Sequence, residues 1–494
     1  MTTQFQLFKP SPEPWKPHNY QRKAVKFLLE HGAAGLFLSP GLGKSSITLA
    51  AIKLLLKAKT EDKVLIIAPL LVAHSTWPGE AEKWTDFNKL RIVVLHGPKK
   101  DELLKVDADI YIINPEGLDW LLQTTKTKSL RTGKTVVSVD VKRFKALGFG
   151  TLVIDELTKF KNHGSDRFKA MKLVIHTFRR RWGLTGSPAA NGLIQLFGQM
   201  YMLDEGRSLG KFVTHYYRTY FIPAWSGFGW QLKDGAEDLI YERISPLVLR
   251  MADEDYLDVP QQVANNIMLD MDDKSFAQYL KLEKDLIVKI EEGTIVAKTV
   301  GVSMGKCRQF ASGAIYLTPD VTALFKPGKS AREWALIHDT KIEALKELIE
   351  GLQGAPLLVA YEFGHDLERL KKAFPSAVFA ADVKPSAFKQ LEDRWNRGEI
   401  DVLFGQPQGM SHGLNLQKAG NHVAWFTLTW DFEIYDQFNR RVRRQGNTNS
   451  HVFVHHLMIK NTIDEVVLNS LGVKDKGQLS LFDGLTKLAK IRKS

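Results

Sequence analysis

A single cysteine, Cys307, among 494 residues excludes an internal disulfide framework and a thiolate metal cluster, and it fits a reducing compartment. No apolar run approaches the roughly 20 residues needed to cross a bilayer, and the opening stretch MTTQFQLFKPSPEPW has no apolar signal core. Low-complexity tracts are absent too. Acidic side chains are in deficit: 55 Asp and Glu face 68 Lys and Arg, a formal charge of +13. Such an excess favours a polyanionic partner held by salt-sensitive contacts, although a basic, solvated surface is the alternative. With 44% hydrophobic content the chain is long enough for two to four domains.

What is present centres on the stretch GLFLSPGLGKSSITLA, from Gly35 to Ala50. A short apolar run leads into Pro40, Gly41, Leu42 and Gly43, then Lys44, Ser45 and Ser46, and a segment with helical periodicity follows. A strand, a tight turn and a helix N-terminus gather backbone N–H groups around one point, which suits a polyphosphate. Gly41 and Gly43 allow positive φ and close approach, Lys44 can span terminal phosphates, and Ser45 can take one Mg²⁺ position. Leu38 stands where the full consensus has its first glycine, so the match is GxGK[ST]. Upstream, Tyr20 and Gln21 lie on a short amphipathic helix, where the Gln21 amide can read an adenine edge or stand as a surface-exposed glutamine.

Apolar runs at Val64–Ala68, Ile92–Leu95 and Ile110–Ile113 alternate with helical or irregular segments, the pattern of a parallel sheet covered by helices. Ligands on such sheets bind beyond the strands' carboxyl ends, which makes the residues after Pro69 and the turn Asn114–Gly117 candidates for a second ligand. For His74 a structural role is expected. The run TLVIDELTKFKN then places Asp155 and Glu156 at a strand terminus; in phosphoryl transfer one carboxylate holds hydrated Mg²⁺ and the other orients the attacking water. In RWGLTGSPAAN, Thr185 and Ser187 bring hydroxyls able to bond Asp155 or a phosphate.

From Gly192 to about Asp339 the alternation weakens and the reading is mostly helical. The aromatic cluster Tyr216, Tyr217, Tyr220, Phe221, Trp225, Phe228 and Trp230 is expected to be packed core rather than a base-stacking platform. A second alternating unit follows, with strands at Leu357–Ala360, Ala377–Ala380, Val402–Phe404 and Val423–Leu428. Its helix Ile434–Val442 runs into YDQFNRRVRRQGN, and helical spacing would put Arg440, Arg441 and Arg444 on one face. Such a cluster is either a solvated basic face or a source of arginine fingers, worth about 10³ to 10⁵ in rate.

Taken in order, these stretches resemble the Swi/Snf-type branch of the superfamily-two helicase-like ATPases. Tyr20-Gln21 resembles the adenine motif, PGLGKS motif I, and APLLVAHSTWPGE, with Trp77 and Glu80, motif Ia and its tryptophan. DELTKFKN is close to DEAHKIKN and LTGSPAAN to LTGTPIQN. SPLVLRMADEDYLDVP resembles the segment linking the lobes, GLNLQKAG motif V, and TWDFEIYDQFNRRVRRQGN the region of motif VI. Thr158 replaces the histidine of DEAH, which puts the coupling of the ATP site to motif III in doubt. Arg443, Asn447 and Met410-Ser411 also depart from the pattern.

The resemblance implies an α/β fold of two RecA-like lobes, parallel sheets flanked by helices, with helical insertions between them. The expected division is 1–200 for the ATP-binding lobe, 201–335 for insertion and linker, 336–470 for the second lobe and 471–494 for a basic tail. It implies ATP and Mg²⁺ as cofactors, Lys44, Asp155, Glu156, Arg441 and Arg444 as catalytic residues, and Ser45 and Asp155 as metal ligands. Gln21 and Pro40 to Ser46 would hold the nucleotide. Leu70 to Ser75, Asn114 to Gly117 and Gln406 to Gly413 would grip nucleic acid. The implied activity is that of a DNA-stimulated ATPase translocating on duplex DNA. The alternatives are a strand-separating DNA or RNA helicase and a nucleotide-gated binding module with little turnover. A monomer on DNA, no membrane partner and a cytoplasmic, bacterial or virus-encoded setting complete the expectation.

Overall fold

The computed structural model describes residues 12–61, 63–129, 135–186, 188–189, 192–223, 230–251, 259–291, 297–317, 334–384, 387–410 and 414–471. Ser187, Trp225, Phe228, residues 411–413 and the tail beyond 471 lie outside them. The described chain forms two compact units, the first ending at residue 251 and the second running from residue 259.

The first unit holds β1 (Ala33–Leu38), β2 (Val64–Ile67), β3 (Ile92–Val94), β4 (Ile110–Ile113), β5 (Thr125–Lys128), β6 (Thr135–Ser138), β7 (Thr151–Asp155), β8 (Arg180–Thr185), β9 (Phe221–Pro223), β10 (Trp230–Leu232) and β11 (Val248–Met251). Seven of them make one parallel sheet in the order β11-β1-β8-β7-β2-β4-β3. The sequence explains the arrangement. Val64–Ile67 and Ile110–Ile113 are apolar on both faces and fully buried, as a sheet covered by helices on both sides requires. The helix Lys44–Lys57 turns Ile47, Leu49, Ala51, Ile52 and Leu55 inward. Leu152, Ile154, Phe160, Met200 and Leu203 continue the core. The helix Leu196–Asp204 comes so close to the segment after Glu156 that a Cβ on Gly198 would lie 2.3 Å from the Phe160 carbonyl oxygen. The aromatic cluster is core where it is described: Tyr216 is buried, donates to the Leu193 carbonyl at 2.7 Å and packs on Phe221.

The second unit holds β12 (Gln261–Leu269), β13 (Ala314–Tyr316), β14 (Trp334–Leu336), β15 (Leu357–Ala360), β16 (Val378–Phe379), β17 (Val402–Gly405), β18 (His422–Trp425) and β19 (His451–Ile459). Its parallel sheet runs β12-β19-β18-β15-β17-β16. Apolar layers cover both faces, one around Trp395, Leu403, Trp425 and Phe438, the other around Leu345, Val359, Leu370 and Phe404. Two parallel α/β sheets flanked by helices are the expected fold class.

Residues 201–335, expected as helical insertion and linker, give an edge strand to each sheet: β11 lies beside β1, and β12 beside β19. The second correction concerns the arginine helix. It spans Phe432–Asn439 and stops there, so Arg440, Arg441 and Arg444 do not share a helical face. Asn439 is buried with its side-chain oxygen accepting from Trp425 Nε1 at 3.0 Å, and the chain then tightens into i→i−3 bonds at Arg441 and Val442.

Candidate nucleotide site and its comparison with known proteins

Three adjacent strands of the first sheet, β1, β8 and β7, deliver the candidate residues at their carboxyl ends. Phe37 pairs with Thr185, and Asp155 with Leu184, so the Gly-rich loop, Thr185 and the two acids emerge along one edge. Gly41 and Gly43 have φ of 99° and 78°, the left-handed region that the loop was expected to need. A side chain at Gly43 would also collide with Gln21, whose Nε2 lies 2.6 Å from the Cβ it lacks. Gln21 is buried. Its Oε1 accepts from His18 N at 3.0 Å and its Nε2 donates to the Leu42 carbonyl at 3.3 Å, which ties the helix Asn19–Glu30 to the loop. An amide has two lone pairs and two N–H donors, so each end keeps one bonding position for a base edge.

Lys44 opens the helix Lys44–Lys57 and curls back over the loop, where Nζ donates to the Leu38 carbonyl at 2.7 Å and the Ser39 carbonyl at 3.4 Å. Ser45 stands in the first helical turn. Ser46 does not aim its hydroxyl at the loop: it is buried and donates to Glu80 Oε2 at 2.6 Å, an oxygen that also accepts from Trp84 Nε1. What Ser46 can offer a phosphate is its backbone N–H.

Asp155 accepts from Trp77 Nε1 at 2.9 Å. Burial pushes its carboxyl above the usual carboxylate range, while the Trp77 bond and the Lys44 charge pull the other way. Glu156 is a non-glycine residue at φ 66°, a backbone state that costs energy and clusters at functional sites. Its Oε1 accepts from Thr158 Oγ1 at 3.0 Å and from Thr185 Oγ1 at 3.1 Å. Thr185, expected to be able to bond Asp155 or a phosphate, brings its hydroxyl to Glu156 from β8, which lies directly beside β7. Thr158, the departure from DEAH, supplies the second hydroxyl.

In the second unit Arg441 Nη1 donates to the Leu414 carbonyl at 2.9 Å, and the Arg441 carbonyl accepts from Leu416 N. Arg444 bonds the Asn415 side chain. Arg440 pairs with Asp436 at 2.8 Å. Glu392, nearly buried, accepts from Asn415 N at 2.7 Å. Two departures from the resemblance have structural partners: Arg443 donates to the Pro260 carbonyl at the head of β12, and Asn447 to the carbonyls of Gly420 and Val442. Among the nucleic-acid candidates, Asn114 bonds Glu116, which pairs with Arg167 at 3.1 Å, and His74 contacts His96.

Sequence reasoning assigned no role to Trp77, Glu80, Asn415 or Glu392. Trp77 and Glu80 stood in the stretch resembling motif Ia and Asn415 in the one resembling motif V, but nothing local tied Trp77 to Asp155 or Asn415 to Arg444. Among the described residues no group of three or more His, Cys, Asp or Glu side chains could hold a metal.

The family model described as SNF2-related domain matches residues 20–311, more than half of the chain. A phage relative agrees: the chain is 33% identical over 490 residues to putative protein p41 of Acyrthosiphon pisum secondary endosymbiont phage 1, covering 95% of this chain and 99% of that one. The chain belongs to the SNF2-related family. It is therefore an ATP hydrolase of helicase superfamily two, a helicase-like motor in class. This SNF2-related chain is also 24% identical to an uncharacterized ATP-dependent helicase of Mycoplasma pneumoniae, over 91% of its own length and 40% of that protein. Among solved structures it aligns with the Sulfolobus solfataricus SWI2/SNF2 ATPase core in complex with dsDNA at 22% identity and a TM-score of 0.43, covering 99% and 97% of the two chains. No helix among its described residues is long and apolar enough to cross a membrane.

Proposed function

We propose that this SNF2-related ATPase translocates on duplex DNA. The observation that carries the reading is the convergence of the Gly-rich loop, Lys44, Asp155 and Glu156 at the carboxyl ends of three neighbouring strands. The family membership and the net charge of +13 support it.

The first unit binds ATP. Backbone N–H groups of Gly41 to Ser46 and the Lys44 ammonium hold the phosphates, which requires Nζ to leave the Leu38 carbonyl. Gln21 contacts adenine. Mg²⁺, when bound, screens the phosphate charge; Ser45 and Asp155 would hold it. One hydroxyl and one carboxylate fit a cation that is usually held by one or two carboxylates together with phosphates and waters. Lys44 and Trp77 favour the ionised form of Asp155 against its burial. Glu156, fixed through Oε1 by Thr158 and Thr185, orients the attacking water. Arg441 and Arg444 stabilise the charge that develops on the transferred phosphoryl group. Segments Leu70 to Ser75, Asn114 to Gly117 and Gln406 to Gly413 take the DNA backbone, the last of them only partly within the described residues. The protein works as a monomer on DNA, in a cytoplasmic setting, bacterial or virus-encoded.

The test is steady-state ATP hydrolysis titrated with duplex DNA, single-stranded DNA and RNA at fixed salt. Duplex DNA is expected to raise turnover several-fold and more than the other two. Displacement of a bound third strand without separation of the duplex identifies translocation. Equal stimulation by RNA, or strand separation, overturns the reading in favour of a helicase.

A further inference from the structure

The hairpin β5–β6 takes no part in the site described above. A two-stranded ribbon is marginal by itself in water, and this one is fixed at its base. Lys126 Nζ reaches Asp119 at 2.9 Å and Asp166 at 3.3 Å, Thr125 and Ser138 share a hydrogen bond of 2.7 Å, and Val137 packs against the core. Pairing of Thr125 with Ser138 and of Lys128 with Thr135 sets the faces. Thr125, Thr127, Val136 and Ser138 lie on one, and Lys126, Lys128, Thr135 and Val137 on the other. Every strand residue but Val137 is exposed.

Neither strand carries a carboxylate. Hydroxyls and ammonium groups are the donors that proteins use on phosphate and sugar oxygens. The helix Val141–Ala146, which follows at once, adds the exposed Lys142 and Lys145. Exposed apolar surface is confined to Val136, and neither strand has an aromatic side chain, so the ribbon lacks the apolar, aromatic centre of a protein-binding patch. The ribbon follows the Asn114–Gly117 turn after one short helix, Leu118–Leu121, so it continues a segment proposed above to take DNA.

We infer that the β5–β6 ribbon is a further backbone-gripping surface of the first unit, taking the sugar-phosphate backbone of duplex DNA through Lys128 and Thr135, which share a face, together with Lys142 and Lys145 of the helix that follows. The inference rests on the reading of the chain as a duplex-DNA motor. Lys126 acts on the ribbon's stiffness, since its ammonium is held by two aspartates.

The experiment measures binding of a fluorescent duplex by anisotropy between about 50 and 200 mM salt, the range over which counterion release makes affinity fall steeply. The full chain is compared with a variant carrying Lys128→Ala, Lys142→Ala and Lys145→Ala, and with Val136→Asp, which places a carboxylate on the ribbon. The triple variant is expected to bind at least tenfold more weakly, with the slope of log K against log salt about 2 to 3 less negative, roughly 0.9 for each phosphate that the chain no longer neutralises. Val136→Asp is expected to weaken binding in the same direction with an unchanged melting temperature. Unaltered affinity and slope in both variants overturn the ribbon's role alone. Failure of the unaltered chain to bind duplex in a salt-dependent way overturns the motor reading and the ribbon's role together.

Discussion

Thr158 places its hydroxyl 3.0 Å from Glu156 Oε1, the same oxygen that Thr185 reaches at 3.1 Å from the neighbouring strand. Both threonines are buried, so the two hydroxyls reach the carboxylate from its protein side. A hydrogen bond to a charged group contributes about 1.5–3 kcal/mol, which as transition-state positioning is roughly 10- to 100-fold in rate. Thr158→Val is expected to lower kcat within that range and leave the KM for ATP within about twofold, while Thr158→Ser restores the rate. Steady-state kinetics checks this, and an unchanged kcat in Thr158→Val removes the hydroxyl from the mechanism.

Arg444 and Arg441 are held inside the second unit by Asn415 and by the Leu414 carbonyl. If they act on the transferred phosphoryl group, Arg444→Ala should keep nucleotide affinity and lose about 10³ or more in turnover. Lys44→Ala and Glu156→Gln should abolish turnover. Nucleotide binding measured by calorimetry alongside hydrolysis separates the two effects. Normal hydrolysis by Arg444→Ala rules out the finger.

Trp77 is fully buried and its indole N–H serves Asp155. Trp77→Phe keeps most of the packing and deletes the donor, leaving a buried carboxylate short of one partner. The expected outcome is a loss of about 1–3 kcal/mol in stability and a several-fold higher Mg²⁺ requirement for hydrolysis. Denaturant midpoints and Mg²⁺ titrations read the two. An unshifted Mg²⁺ optimum would mean that Trp77 only fills space.

In the second unit His338, His455 and His456 are buried and held down to about 4, in each case chiefly because burial disfavours the charged imidazole. Their unfolded counterparts titrate near about 6.5, so between that pH and about 4 the unfolded chain binds protons that the native chain does not. Stability contributed by the neutral imidazoles is present above about pH 6.5 and is lost as pH falls, by at most about 4 kcal/mol per pH unit for three groups. Urea midpoints at pH 7, 6 and 5 are expected to fall, and His455→Asn to flatten the trend. A flat profile in the unaltered chain overturns the assignment.

The fold was legible because its strands are apolar on both faces and its ligand loops sit at strand ends. Leu152 to Ile154 ending in Asp155-Glu156 and Leu36 to Leu38 ending in the Gly-rich loop needed only local pattern and backbone chemistry. The strand β12, QQVANNIML, was missed because it is a sheet edge whose residues are mostly exposed, so it carries no apolar alternation. The ribbon of β5 and β6 was missed for the same reason. The end of the arginine helix depends on Asn439 meeting Trp425, and the clamp on Glu156 depends on Thr185, 29 residues away. Contacts between distant positions leave no local trace. Spacing could nominate Arg441, Arg444 and Glu156, but not the groups that hold them.

The order of strands in the second sheet bears on how the protein is made. The first sheet has every strand it needs once residue 251 has left the ribosome, since β11 closes it against β1. In the other sheet β12 touches only β19, which spans His451–Ile459. That strand must wait through nearly two hundred further residues of synthesis, its amides served by water or a chaperone. The half with the Gly-rich loop is therefore ready early, while the half bearing the arginines is completed only once residue 459 has been made.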